Sequence, residues 1–158
     1  MKVFSKIDFS QINEALGIAV DAVPELIPSL ITGRLYNEGT DYKGKELRTD
    51  TAKQQNNPYY SRFTLSVKQR KGQRTTNVTL NDTGEFYNSF VSKVNKKEII
   101  INAETKDIFD NFEKHYSSEK DFEKAILNLS EDDRKIFIRE ILPNFIKQYK
   151  FLAGKNIR

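Results

Sequence analysis

The sequence predicts an α+β fold, on three observations. Apolar residues recur at helical spacing near the N-terminus, at Ile12, Leu16, Ala19, Val20 and Val23, and again near the C-terminus, at Ile136, Phe137, Ile141, Phe145 and Tyr149. Between these stretches Phe90–Val94 and Glu98–Ala103 flank the turn Asn95–Lys96–Lys97, the pattern of a β-hairpin. The chain has 158 residues, which suits a single domain over 1–158. With 37% hydrophobic and 30% charged residues, it should bury a modest core and expose a large polar area.

Each element follows from local chemistry. Residues 1–8 alternate apolar and polar and read as a short flexible arm. Ser10 suits a helix start, its hydroxyl accepting an unpartnered N–H of the first turn. Pro24 and Pro28 interrupt the apolar pattern that follows. Each removes a backbone donor and crowds the preceding turn, so 11–35 should be a kinked helix or two helices. Residues 37–58 are polar, contain glycine and lack apolar periodicity, and are expected to form a long loop ordered only by a partner. Residues 59–71 fit two patterns. Phe63, Leu65 and Val67 alternate as in a strand, whereas Tyr60, Thr64, Val67 and Lys68 share a helical face. Val78–Leu80 reads as extended. Asp82 or Thr83 is expected to cap a short helix through Phe90, with Phe86 and Phe90 one turn apart. Ile99–Ile101 is the most β-prone run. Thr105–Tyr116 and Phe122–Leu127 read as helices. Ser130 with Glu131, Asp132 and Asp133 opens the last helix, a hydroxyl cap with three acids against the N-terminal dipole. Pro143 should kink that helix and Gly154 should end it, leaving a basic tail at 153–158.

The charge is uneven. Lys and Arg number 26 against 22 Asp and Glu, a net +4. Residues 1–42 hold three basic and six acidic side chains (net −3), residues 43–97 twelve and four (net +8), and residues 98–158 eleven and twelve (net −1). No acid occurs between Thr51 and Asn81, where Lys53, Arg62, Lys68, Arg70, Lys71 and Arg74 fall. Such a stretch suits a polyanion or the acidic face of a neighbouring protein.

Composition removes most chemistry. With no Cys there is no disulfide framework, thiol nucleophile or Cys-based zinc site, and one His cannot serve a site that needs two. His115 beside Glu113 and Tyr116 reads as a surface or capping residue. Asp107, Asp110 and Glu113 share a helical face but lack a glycine-bearing calcium loop, which favours a solvated acidic face. No glycine-rich phosphate loop, repeat or low-complexity segment occurs. No cofactor is expected. No apolar run approaches the roughly 18 residues of a membrane span, and the N-terminus lacks a signal-peptide core, so a soluble cytosolic chain without membrane contact is expected. Asp82–Thr83–Gly84 matches the tripeptide of aspartic proteases, whose chemistry needs two carboxylates sharing a proton and therefore a dimer of such a chain. Glu85–Phe86–Tyr87 follows where a small residue and an extended segment should, so a structural turn is the favoured reading. The basic run Lys68–Arg74 with Tyr59, Tyr60 and Phe63 upstream also fits a small nucleic-acid-binding protein, since cations neutralise phosphates and aromatic faces stack bases.

Residues 58–101 carry a further pattern: Pro58–Tyr59–Tyr60–Ser61, Phe63–Thr64, Val67–Lys68, Lys71–Gly72, then Val78–Thr79–Leu80–Asn81–Asp82–Thr83–Gly84–Glu85–Phe86–Tyr87–Asn88–Ser89–Phe90, then Ile99–Ile100–Ile101. This order resembles the tail-completion, or virion-morphogenesis, proteins of tailed bacteriophages. The resemblance covers about 45 of the 158 positions. It implies a helix over 59–71, a structural rather than catalytic Asp82–Thr83–Gly84 turn, and a non-enzymatic virion subunit assembled in the host cytoplasm. Such a subunit forms a homo-oligomeric ring at the head–tail junction, as neck, tail connector or tail completion. The implied partners are further copies, portal or connector and tail proteins, and packaged DNA in the channel. Arg62, Lys68, Arg70, Lys71 and Arg74 are the candidate contacts to DNA or to a partner. The family's Tyr/His–Gly element has its nearest counterpart in Phe109–Tyr116, which lacks the glycine.

Overall fold

The computed structural model describes residues 9–94, 98–103, 114–116 and 121–155. These residues form an α+β fold of seven helices and one two-stranded antiparallel sheet. The arm 1–8, the hairpin turn 95–97, most of the helix expected at 105–116 and the last three residues lie outside them.

The N-terminal pattern forms two helices, α1 (Phe9–Asp21) and α2 (Leu26–Asn37), bent by 58° at their junction. Pro24 lies in the break. Pro28 falls in the first turn of α2, where an N–H has no helical partner to lose. The apolar face of α2 is the centre of the core: Ile27, Ile31 and Leu35 are fully buried. Gly39, at φ +65°, reverses the chain after α2. Asn77 approaches there, and its Nδ2 donates to the carbonyls of Tyr36 at 3.1 Å and Leu35 at 3.4 Å. A Cβ on Gly39 would come within 2.8 Å of the Asn77 side chain and 2.9 Å of the Val78 carbonyl, so the close approach requires glycine.

Residues 37–58, expected to be a loop awaiting a partner, are packed. Asp41 is buried and its Oδ1 accepts from the N–H groups of Lys43 at 2.8 Å and Lys45 at 2.9 Å. Thr40 and Glu46 form a β-bridge, Leu47 enters the core, and α3 (Asp50–Gln54) starts at Thr49, whose hydroxyl accepts from Ala52 N at 3.1 Å. The order comes from side chains bonding nearby backbone, a device that leaves no apolar periodicity in the sequence.

Residues 59–71 settle as helix α4 (Arg62–Arg70), capped by Ser61, whose Oγ accepts from Thr64 N at 3.1 Å. The segment 77–80 is buried, and Leu80 takes φ +52° at its end. Helix α5 (Glu85–Asn88) has Gly84 at its N-cap position, with Thr83 Oγ1 accepting from Glu85 N at 3.4 Å from one residue further out. The helix stops at Asn88, two residues short of the expected Phe90, because Phe90 opens strand β1 (Phe90–Val94). Phe86 and Phe90 still meet edge to face, ring centres 4.9 Å apart. Strand β2 (Ile99–Ala103) pairs with β1 in the register Phe90–Ala103, Ser92–Ile101 and Val94–Ile99. Two strands are marginal alone; α1 and α2 pack on β1, and α6 (Phe122–Leu127) packs on β2.

The C-terminal helix α7 (Glu131–Lys155) runs 25 residues through Pro143 and past Gly154, and α1 lies along it. Its start is a reciprocal cap: Ser130 Oγ accepts from Asp133 N at 3.1 Å, and Asp133 Oδ2 accepts from Ser130 N at 3.0 Å. The same Asp133 oxygen lies 3.0 Å from Arg34 Nε, both side chains being buried. Arg34 further donates to the carbonyls of Thr40, Asn128 and Ile126 at 3.0, 2.9 and 3.2 Å. One guanidinium therefore joins α2, the following connection and the α6–α7 junction. No single described helix is long and apolar enough to cross a membrane.

Candidate functional site

Some of the residues singled out by the sequence, Lys68, Lys71, Asp82, Thr83, Gly84 and His115, line a cleft of about 480 Å³, whereas Arg62, Arg70 and Arg74 do not. Thr49 and Thr51 line one side, Thr64, Val67 and Lys68 of α4 with its C-cap Lys71 another, and the run Leu80–Phe86 a third, with His115 and Tyr116 closing it. Helical spacing puts Thr64, Val67 and Lys68 on one face of α4, which Lys71 continues. The reversal at Gly72 (φ +65°) brings the Asp82–Thr83–Gly84 turn back against the end of that helix.

Lys68 is 8% exposed. Its Nζ donates to the Asn81 carbonyl at 3.0 Å and to Gln73 Oε1 at 3.2 Å, and stands 5.1 Å from the centre of the Tyr60 ring. Burial lowers its pKa below the ordinary 10.5, nearby Lys71 acts the same way, and Asp82 opposes them. Gln73 uses its amide nitrogen on the turn, donating to the Asp82 carbonyl at 2.8 Å and to Asp82 Oδ1 at 3.1 Å. Lys71 Nζ completes the clasp at 2.7 Å from Asp82 Oδ1. The hydrogen bonds from Lys71 and then Gln73 hold the Asp82 carboxyl below its ordinary 3.8. Lys71 and Gln73 thus pin the Asp82–Thr83–Gly84 turn against the end of α4.

Behind the clasp, Thr79 is held by two phenols. Its N–H donates to the Tyr60 hydroxyl at 2.9 Å, and its carbonyl accepts from the Tyr87 hydroxyl. Burial raises the pKa of Tyr60, Tyr87 and Tyr116 above the ordinary 10.0. The tyrosines supply the bonds that a neighbouring strand would supply in a wider sheet.

The five candidate contact residues thus separate. Lys68 is internal, which corrects its expected place on a DNA- or partner-facing surface: its ammonium is spent on Asn81 and Gln73. Lys71 is exposed but paired to Asp82. Arg74 lies 5.7 Å over the Tyr36 ring and donates to Thr76 Oγ1 at 3.0 Å and the Asn37 carbonyl at 3.3 Å. Arg62 and Arg70 stand at the two ends of α4, on its exposed side. Residue types gave no notice of Gln73 or Tyr87, or of the pairing of Arg34 with Asp133, because their partners are backbone atoms or lie far along the chain.

Among the described residues no buried side-chain nitrogen or oxygen lacks a partner, and no three His, Asp or Glu side chains gather as metal ligands. Asp107, Asp110 and Glu113 lie outside the described residues. His115 is exposed at the cleft mouth.

No family model matches this sequence, and the searches of curated proteins and of solved structures give no match.

Proposed function

We propose that this chain is a non-enzymatic structural subunit of a phage virion, forming a homo-oligomeric ring at the head–tail junction as neck, tail connector or tail completion. The observation that carries the reading is the order of elements through residues 61–103. A capped helix, a glycine reversal, a buried run, the pinned Asp82–Thr83–Gly84 turn, a short aromatic helix and a pair of antiparallel strands follow one another. That is the order the resemblance to tail-completion proteins implies. The exposed apolar side chains are a second support: Phe63 is 77% and Phe9 72% exposed, and Ile138, Leu142, Ile146 and Phe151 also face outward. Large apolar groups left outside suit burial by neighbouring subunits. Its partners in this reading are its own copies, portal or connector proteins, tail proteins, and packaged DNA passing through the ring. Electron microscopy of the purified protein, and of particles assembled without it, tests the reading. Rings, together with tailless or DNA-leaking particles in its absence, are expected. Normal particles without it overturn the proposal.

The exposed Arg62, Arg70 and Arg74, with the exposed Phe63, favour one alternative, a small nucleic-acid-binding protein. Its signature is DNA affinity that falls steeply with salt. Charge reversal at Arg62, Arg70 and Arg74 should abolish that binding.

A further inference from the structure

Two exposed helical faces on this chain are complementary. On α1, Glu14, Ile18 and Asp21 are spaced four and three residues apart and form one outward stripe, continued by Val23 and Glu25 in the turn to α2; all five are exposed. Every exposed charge in 9–42 is acidic, at Glu14, Asp21, Glu25 and Glu38, because the one cation there, Arg34, is buried on Asp133. On α4 the outward face carries Arg62, Phe63, Ser66, Gln69 and Arg70, with no acid in the chain from Thr51 to Asn81. One face is thus acidic around two exposed aliphatic side chains, and the other is basic around the most exposed aromatic, Phe63. Their elements pack elsewhere: α1 lies on α7 and β1, whereas α4 forms a wall of the cleft with the run Leu80–Phe86.

We infer that the α4 face of one copy docks on the α1 face of a second copy, Phe63 seating between Ile18 and Val23 while Arg62 and Arg70 meet Asp21 and Glu25. Opposed charges give such a contact its orientation and rate, and the apolar centre gives it holding power. The contact joins two different patches. Made once per copy, it is head-to-tail and propagates, closing into a ring or running on as a filament. Made reciprocally, it stops at a dimer, which sedimentation velocity would show and which would overturn the ring. The inference rests on the ring reading for closure and on the two faces for the contact itself.

The test is a charge swap read by sedimentation velocity and mass photometry at low salt. R62E/R70E and D21R/E25R should each weaken self-association about a hundredfold, since like charges brought together across an interface cost several kcal/mol. An equimolar mixture should recover it, because each reversed face then finds an opposite one; recovery also shows that both variants are folded. Recovered assemblies that are open filaments would uphold the contact and overturn the ring. Assembly that survives either reversal, or is not recovered on mixing, would overturn the contact while leaving the ring reading standing. Wild-type protein that remains monomeric would overturn both.

Discussion

The buried pair Arg34–Asp133 offers the sharpest test of how the two ends of the chain are held together. Its residues lie 99 positions apart and meet at 3.0 Å. Arg34→Met keeps length and apolar bulk but removes the hydrogen bonds to Asp133 and to the carbonyls of Thr40, Ile126 and Asn128. Breaking a buried pair by removing one partner costs about 3–5 kcal/mol, and a buried carbonyl left unbonded costs about 1–3 kcal/mol. Water reaches the part-buried Thr40 and Asn128 carbonyls, so a loss of about 4–5 kcal/mol is expected. Asp133→Asn retains an oxygen for the Ser130 N–H but leaves the guanidinium without its counter-charge, at about 3 kcal/mol. In the Arg34→Met background the same Asn substitution should cost almost nothing, because it then removes a stranded carboxylate. The double variant should match Arg34→Met, with a coupling energy of about 3 kcal/mol. Urea unfolding of the four proteins, with m compared between them, measures this. Additive losses within about 0.5 kcal/mol would refute the claim that this pair joins α2 to α7.

Three further outcomes follow from local geometry. Gly39→Ala meets both a φ of +65° and a 2.8 Å approach to Asn77, and should cost at least about 2 kcal/mol in urea unfolding; wild-type stability would refute the account of that turn. Tyr87→Phe removes the donor to the buried Thr79 carbonyl and should cost about 1–3 kcal/mol, with slower-exchanging amides near Thr79 losing protection. The tyrosines set the alkaline behaviour. Their folded pKa values stand above the unfolded 10.0, so their contribution is complete below pH 10 and is lost as pH rises through the folded values. Lys68 has the opposite sign, because its folded pKa lies below 10.5 and stability rises across that interval. Three phenols against one amine should make the net slope negative above pH 10, and Tyr116→Phe should flatten it in a pH series of urea melts.

The sequence made some elements plain and left others hidden, for physical reasons. Helical periodicity, the two prolines and the Ser130 cap located α1, α2 and the start of α7, because those signals act within a turn or two of the chain. The hairpin was equally legible from Ile99–Ile101. Helix α4 was ambiguous in its own residues, since nine residues with one half-buried face fit either period. The order of the connection 37–58 is hidden from the sequence because Asp41, Thr49 and Gly39 build it through backbone hydrogen bonds, and only Leu47 and Ala52 enter the core. At the candidate site, the basic run and the Asp82–Thr83–Gly84 turn were both visible as motifs. That they clasp each other was not, because Gln73 does the joining and Gln carries no charge signature.

That clasp changes what the basic middle of the chain can do. A net +8 over 43–97 reads as one electropositive surface. In the fold, Lys68 is used inside and Lys71 is matched by Asp82, while Arg74 is laid over Tyr36 and bonded to Asn37. Arg62 and Arg70 remain as the outward cations of α4, with Phe63 beside the first of them. These two guanidiniums share α4 with an exposed aromatic and are only part of the outward charge of 43–97, since Lys43, Lys45 and Lys93 are exposed as well. Arg62 and Arg70 with Phe63 have the composition of an anchor for a protein face, where arginine and aromatic side chains carry most of the binding energy. On α4 the cations therefore suit contact with an acidic protein surface, and the acidic α1 stripe of another copy is such a surface.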